Sequence, residues 1–199
     1  MAKIVTSQYA FDLEYAPFEN MGDDEFYHFC EQNKHIPIER DENHQIIFMP
    51  PVTSEFSGKN SDIIIDMGVW NRKLKAGLVF ESSAGFYLPD SSMRSPDAAW
   101  ISNVRREALS EEKRKGFAYI TPDFVVELAS PSDNLNSLKN KMEKWRDNGV
   151  RLSWLIDPTN ETVFIYRIDG TVSKVEGFDN ILSGEDVLVG FEFGLSVLR

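Results

Sequence analysis

Residues 124–156 read FVVELASPSDNLNSLKNKMEKWRDNGVRLSWLI, and this stretch decides the fold. Phe124–Leu128 is almost entirely apolar, which is typical of a strand buried on both faces. Pro131–Asp133 opens a segment with helical periodicity that stops at Gly149, and Leu152–Ile156 is a second apolar strand. Two strands joined by a helix predict a parallel pair with a crossover connection. We therefore expect an α/β protein.

A long amphipathic helix is predicted upstream of this unit. Thr53 can serve as its N-cap, and Glu55 falls in the first turn, where the helix dipole favours a negative charge. Apolar residues then recur at spacings of three, four and seven up to Gly77, which we expect to end the helix. Asp97–Ile101 follows Pro96 and predicts a further strand. These elements predict a sheet with helices against it.

Two β-hairpins are predicted to flank this core. Ile36–Arg40 and Gln45–Met49 are short β-like runs separated by a polar turn. Thr162–Ile168 and Val172–Val175 are joined through Asp169–Gly170, a strong hairpin signal. The apolar tail after residue 190 predicts a final strand.

The composition is that of an ordinary globular protein. Its 199 residues suit one domain, and residues 1–20 lack clear periodicity, so we expect an irregular lead-in followed by a single domain at 21–199. The one cysteine, Cys30, lies in an apolar-rich run and predicts a buried small side chain. Neither a signal-peptide core nor an apolar run long enough to span a bilayer is apparent, which predicts a cytoplasmic protein without a membrane partner.

The net charge of −11 weighs against a nucleic-acid partner, because neutralising phosphates normally requires a basic surface. Contact with DNA would need bound cations or a local basic patch. Candidates for such a patch are Arg72, Lys73, Lys75, Arg105, Arg106, Lys113, Arg114 and Lys115, which can equally be solvated helix residues.

The residues with the most informative chemistry are Asp97 and Glu127. A carboxylate inside a buried strand is costly unless something compensates its charge. Val126 and Leu128 should point to the opposite face from Glu127. A divalent cation would supply the missing charge, and oxygen ligands suit Mg²⁺ or Mn²⁺. The alternative is that Glu127 pairs with a buried arginine or lies at a strand edge.

Four sequence blocks in this order resemble the Uma-two family of restriction endonucleases. They are RSPDAAWI at 94–101, PDFVVELASPSD at 122–133, KMEKW at 141–145 and WLIDP at 154–158. The resemblance extends from about residue 35 to the C-terminus. It implies the PD-(D/E)XK nuclease fold, a restriction-endonuclease-like mixed β-sheet flanked by helices, with the two hairpins as additions at its ends.

The resemblance also implies roles for particular residues. Asp97 and Glu127 would hold the metal, and the backbone carbonyl of Leu128 would complete the set of protein ligands. Glu55 resembles the acidic residue that the first core helix contributes to many such sites.

The basic residue of the nuclease pattern is displaced in this chain. Ala129 stands where the pattern has lysine, and the resemblance implies that Lys141, on the following helix, takes its place. On a helical projection Lys141 lies on one shoulder of the apolar stripe and Lys139 on the other, while Lys144 points away. Periodicity therefore does not choose between Lys141 and Lys139.

Asn60 is a polar residue on the apolar stripe of the first core helix, so its side chain needs a hydrogen-bond partner. Either a contact at the site or a buried structural hydrogen bond would satisfy it.

The implied activity is Mg²⁺- or Mn²⁺-dependent hydrolysis of phosphodiester bonds in DNA, in which a homodimer would suit the cutting of two strands. Two alternatives stay open. A catalytically inactive module on the same fold, binding nucleic acid or protein, is favoured by Ala129 and the net acidity. A sugar hydrolase could use Asp97 and Glu127 as an acid and base pair.

Overall fold

The structure, a computed structural model, describes residues 21–199 and the backbone of two short strands near the N-terminus. In chain order the elements are β1 (Ala2–Val5), β2 (Ala10–Leu13), α1 (Asp23–Gln32), β3 (Ile38–Arg40), β4 (Ile46–Phe48), α2 (Ser54–Leu74), β5 (Gly77–Glu81), β6 (Phe86–Tyr87), β7 (Met93–Arg94), β8 (Ala98–Ser102), α3 (Asn103–Glu107), α4 (Glu111–Arg114), β9 (Phe124–Leu128), α5 (Leu135–Asp147), β10 (Leu152–Asp157), β11 (Thr162–Arg167), β12 (Val172–Glu176), β13 (Ile181–Ser183), β14 (Glu192–Gly194) and a 3-10 turn (Leu195–Leu198). Strands β1 and β2 pair antiparallel, and the rest of the lead-in predicted for residues 1–20 lies outside the described residues.

The central sheet has six strands in the order β12-β11-β10-β9-β8-β5. Strands β9 and β10 run parallel, with Phe124 opposite Leu152, and the other neighbouring pairs are antiparallel. Every residue of β9 and β10 is buried. This confirms the predicted parallel pair, its crossover through α5 and the burial of both faces.

Helices cover the two faces of this sheet. Ile63 and Met67 of α2 share a buried cluster with Val126 of β9. On the other face, Met142 and Trp145 of α5 pack into a second buried cluster. Because side chains alternate along a strand, Glu127 projects to the α5 side, away from Val126 and Leu128. The mixed sheet flanked by helices is therefore confirmed.

A second sheet, in the order β4-β3-β7-β6, lies beside this core. The predicted N-terminal hairpin forms its β3 and β4. Strand β7 also pairs with β3, with Arg40 opposite Met93, an association that sequence patterns did not predict. This second sheet carries Glu39 and Arg94, both buried.

The C-terminal part agrees with the predicted elements. Strands β11 and β12 form the predicted hairpin, and the tail contributes β14 before it ends in the 3-10 turn. Strand β14 pairs with β13, which was not predicted.

The end of α2 differs from the prediction. The helix ends at Leu74, and Lys75 is its C-cap in the left-handed region with φ of 52°. Gly77 instead begins β5, where a Cβ would lie 2.2 Å from the backbone oxygen of Ile101. A glycine is required at position 77 because β5 approaches β8 closely there, and not because a helix ends at that residue.

No helix among the described residues is long and apolar enough to cross a membrane.

Candidate active site

Asp97 and Glu127 meet because of the register between two neighbouring strands. Strands β8 and β9 pair antiparallel with Ala98 opposite Val126, and extending that register by one residue sets Asp97 opposite Glu127. Residues directly opposite each other project to the same face with their Cβ atoms about 5 Å apart. The Asp97 carboxylate is fixed by the backbone N–H of Leu128, which donates to Oδ2 at 2.7 Å. Asp97, Glu127 and Leu128 are therefore neighbours.

Lys141 reaches this pair from α5. Its Nζ lies 2.9 Å from Glu127 Oε1 and 3.1 Å from Glu39 Oε1, and its side chain is 15% exposed. Lys139 instead lies over the ring of Phe164, with 4.2 Å between Nζ and the ring centroid. Of the two lysines between which periodicity does not choose, Lys141 is the one that contacts the carboxylates.

Ala129 follows the last residue of β9, at the position where the nuclease pattern has a lysine. It is buried in the apolar cluster under α5, together with Met142 and Trp145. A lysine at position 129 would have to push aside the apolar side chains that pack against Ala129. Lys141, on α5, reaches Glu127 without that cost. The ammonium thus comes from the helix to the same face of the sheet.

Glu39 is the residue that sequence reasoning missed. It is buried at 2% exposure and accepts hydrogen bonds from the backbone N–H of Ser95 at 2.9 Å and from Arg94 Nη1 at 3.1 Å. Together with Glu127, it holds the Lys141 ammonium between two carboxylates. The available sequence signal was a charged residue inside the short β3 run, but its partners lie on distant elements.

Trp145 also makes a polar contact, although the sequence pattern predicts only an apolar role for it on α5. Its indole N–H donates to Glu127 Oε1 at 2.8 Å. Trp145 follows Lys141 by one helical turn, so both side chains lie on the same face of α5. The Glu127 carboxylate is therefore oriented from α5 by an indole and an ammonium.

The electrostatics of this cluster show a deficit of positive charge. Three buried or partly buried carboxylates, from Glu39, Asp97 and Glu127, face two cations, Lys141 and Arg94. Burial raises the pKa of Glu127 to about 7, against the lowering effect of Lys141. Burial also raises the pKa of Asp97, although the Leu128 N–H opposes this shift.

Glu39 behaves in the opposite way. Burial would raise its pKa, but the adjacent Lys141 and Arg94 outweigh that effect and hold the pKa below its ordinary value. In turn, burial alone would lower the pKa of Lys141, and the carboxylates of Glu127 and Glu39 outweigh it, so the net shift is upward. Lys141 is therefore charged, and the carboxylates whose negative charge is least compensated are those of Asp97 and Glu127.

The chemistry of this donor set fits a hard divalent cation. Within residues 21–199, no three carboxylate, imidazole or thiol side chains converge as a ready-made metal cage. Mg²⁺ does not need such a cage, since it is usually bound through one or two carboxylates, retained waters and substrate phosphates. Asp97 and Glu127 can supply the carboxylates, and a cation there would offset the excess negative charge.

A cavity of about 670 Å³ opens beside the cluster, a size typical of ligand sites. Its polar wall includes Glu39, Ser95, Asp97 and Asn60. The apolar wall is formed mainly by Ile36, Pro37, Ile38, Met49, Pro50, Pro51, Val52, Phe56 and Phe117. A substrate can therefore reach the Asp97 side of the carboxylate pair from this cavity.

No contact found for Glu55 among the described residues links it to the cluster. Its side chain is 82% exposed, and its carboxylate pairs with Lys59 at 3.4 Å on the same helix. Its predicted role at the site stays a prediction.

Part of the predicted basic patch lies away from the carboxylates. Asn103 Nδ2 donates to the backbone oxygen of Lys75, which joins the C-terminal end of α2 to the start of α3. This junction follows the last residue of β8, whereas Asp97 precedes the first. The strand between them is roughly 16 Å long. The basic residues around this junction therefore do not border the cavity.

Cys30 is a free, half-buried cysteine, whereas its sequence context predicts a buried side chain. Burial raises the pKa of its thiol to about 12. This shift disfavours the thiolate form that a nucleophilic cysteine needs.

Comparisons with known proteins concern the family and the fold of the chain. The model of the Uma2 family, described as "Putative restriction endonuclease", matches residues 23–197. Among solved structures, a protein from Anabaena variabilis ATCC 29413, titled a putative nuclease belonging to DUF820, superposes with a TM-score of 0.70. The two sequences are 18% identical over 84% of this chain and 95% of that chain, so this likeness shows the fold alone. No curated protein matches the chain.

Proposed function

Because the chain belongs to the Uma2 family of putative restriction endonucleases, we propose that it is a metal-dependent endonuclease that hydrolyses phosphodiester bonds in DNA. The observation that carries this proposal is the position of Lys141. Its ammonium lies between Glu127 and Glu39, on the sheet face where the nuclease pattern needs a lysine. This position supports Lys141 as the replacement for the lysine that is missing at Ala129, and it weakens one of the two arguments for an inactive module, the other being the net acidity.

Asp97, Glu127 and the backbone carbonyl of Leu128 would hold Mg²⁺ or Mn²⁺. The bound cation would polarise a phosphoryl oxygen, lower the pKa of a bound water and stabilise the leaving oxygen. The excess negative charge of the cluster favours such binding, as does the fixed orientation of Asp97 by the Leu128 N–H.

The protein's own groups then have separate tasks. Lys141 stabilises the negative charge that develops on the phosphate, because a positioned cation in a partly buried site acts strongly there. Glu39 and Arg94 fix the ammonium from the side of the second sheet. Trp145 keeps the Glu127 carboxylate in one orientation through its indole N–H.

The proposed partner is DNA, in spite of the net charge of −11. A cation at Asp97 and Glu127 would attract the scissile phosphate locally, so binding need not depend on a basic face. A two-fold dimer in the cytoplasm would suit the cleavage of two strands, since each copy could cut one.

Nicking of supercoiled plasmid tests the proposal, with Mg²⁺, Mn²⁺ or a chelator present. We expect metal-dependent nicking by the wild type and its loss in Asp97→Asn. A matched control is Asp157→Asn, because Asp157 is a buried carboxylate on β10 that bonds to Asn160 instead. Nicking by the control and not by Asp97→Asn would support the site. Failure of the wild type to nick DNA with either metal would contradict the endonuclease and favour a binding module.

A further inference from the structure

Helix α2 carries two asparagines that face inward, and their hydrogen bonding differs. Both polar atoms of the Asn71 side chain have partners within the protein. Its Oδ1 accepts from the backbone N–H of Gly77 at 3.1 Å and from Trp100 Nε1 at 3.0 Å. Its Nδ2 donates to the backbone oxygen of Gly77 at 2.8 Å. Asn71 therefore has the bonding expected of a structural residue.

Asn60 has only half of this bonding among the described residues. Its Nδ2 donates to the backbone oxygen of Asp97 at 3.3 Å, while its buried Oδ1 has no partner in the described part of the chain. Reversing the amide would set Oδ1 against the Asp97 carbonyl oxygen and leave Nδ2 without an acceptor. The unpaired atom is therefore the acceptor, and leaving a buried acceptor unpaired is costly.

The position of Asn60 indicates where the missing donor comes from. Asn60 lines the cavity that also borders Asp97, Glu39 and Ser95. Its amide is held against the residue that we propose as a metal ligand. The cavity borders both Asn60 of α2 and Glu39, which contacts Lys141 of α5, so a donor for the buried Oδ1 would have to approach from this cavity.

We propose that Asn60 is a positioning residue of this site, whose Oδ1 accepts a hydrogen bond from a water of hydration on the cation held by Asp97 and Glu127. This inference rests on the proposed function. Mg²⁺ retains several waters when bound through few carboxylates, and those waters are hydrogen-bond donors. Groups that orient metal-bound ligands typically change metal affinity by about 10- to 100-fold when removed. Asn60 would thus fix the hydration shell on the cavity side.

The test measures Mn²⁺ affinity by titration calorimetry and, separately, the thermal stability of the metal-free protein. Asn60→Leu removes the acceptor with little change in size, so it should bind Mn²⁺ at least about 10-fold more weakly. Its metal-free stability should change little, because removal of the unpaired acceptor offsets the loss of the hydrogen bond from Nδ2 to the Asp97 backbone oxygen. Asn60→Asp keeps an oxygen acceptor and should bind Mn²⁺ about as well as the wild type, although its metal-free form loses stability from repulsion by the Asp97 carbonyl.

Asn71→Leu is the matched control and should show the reverse pattern, with lower stability and unchanged Mn²⁺ affinity. Unchanged affinity in Asn60→Leu would overturn the role of Asn60 and leave the metal site standing. Loss of affinity in Asn60→Asp to the level of Asn60→Leu would also overturn it. Failure of the wild type to bind Mn²⁺ would overturn this inference together with the proposed metal site.

Discussion

Replacing Lys141 by methionine is the most informative perturbation of the cluster. The ammonium lies 2.9 Å from Glu127 and 3.1 Å from Glu39. At an effective dielectric constant of about 20, each contact contributes about 5–6 kcal/mol of attraction. Replacing Lys141 also removes its desolvation penalty of several kcal/mol, and breaking buried pairs in this way costs about 3–5 kcal/mol overall.

A loss of this size should lower the melting temperature by roughly 6–20 °C, since a domain of this size loses about 2–4 °C per kcal/mol. The loss should depend on pH. Lys141 lowers the pKa of Glu127, which nevertheless stands at about 7. Without Lys141 that pKa rises further, so Glu127 takes up a proton at low pH and relieves the penalty. We therefore expect Lys141→Met to lose more stability at pH 8 than at pH 5.5.

The assay is urea unfolding of the metal-free protein at both pH values, and the matched control is Lys139→Met. Lys139 lies on the same helix but contacts the Phe164 ring rather than a carboxylate. Equal stability of Lys141→Met and the wild type at pH 8 would refute the reasoning. A loss of the same size at both pH values would refute the part assigned to Glu127.

Three further predictions concern the neighbours of Lys141 and the sheet edge. Burial raises the pKa of Glu127 to about 7, so its ionisation costs stability as pH rises between about 4.5 and 7. The difference in free energy of unfolding between Glu127→Gln and the wild type should therefore shift in favour of the variant as pH rises from 5 to 8. A constant difference in urea midpoint across that range would contradict this. The pKa of Glu39 is lowered, so its carboxylate stabilises the fold above its unfolded pKa; Glu39→Gln should lose about 2–4 kcal/mol at pH 7 and less near pH 4. A deficit that grows toward acid pH would oppose that account. Gly77→Ala should lose about 1–3 kcal/mol in the same assay, because its Cβ meets the backbone oxygen of Ile101; wild-type stability would show that β5 can move away from β8.

Local patterns in the sequence predicted the core of the fold. The β9-α5-β10 unit followed from apolar runs and helical periodicity, since both patterns depend on neighbouring residues. The choice of Asp97 and Glu127 came from a resemblance together with the cost of a buried charge. Their register is consistent with that choice, because antiparallel pairing sets them opposite each other.

Contacts between distant elements could not be predicted in this way. Glu39 belongs to a second sheet, and its partners Arg94 and Lys141 are 55 and 102 residues away along the chain. Periodicity could place Lys141 and Lys139 on two shoulders of α5, but only the packing of α5 on the sheet decides which one reaches Glu127. The sequence context of Gly77 predicts a helix stop, because the close contact of this residue with β8 is a tertiary feature that local patterns do not show.

The central claim is that Asp97 and Glu127 form a divalent-cation site, and titration calorimetry with Mn²⁺ and Mg²⁺ tests it most directly. The wild type should bind with a stoichiometry of about one cation per chain, and Glu127→Ala should bind much more weakly, since it lacks one of the two carboxylates proposed as ligands. Binding should also raise the melting temperature of the wild type alone, because a ligand that binds only the folded state stabilises it. Absence of binding by the wild type, or equal binding by Glu127→Ala, would contradict the account and leave the cluster as a network of structural ion pairs.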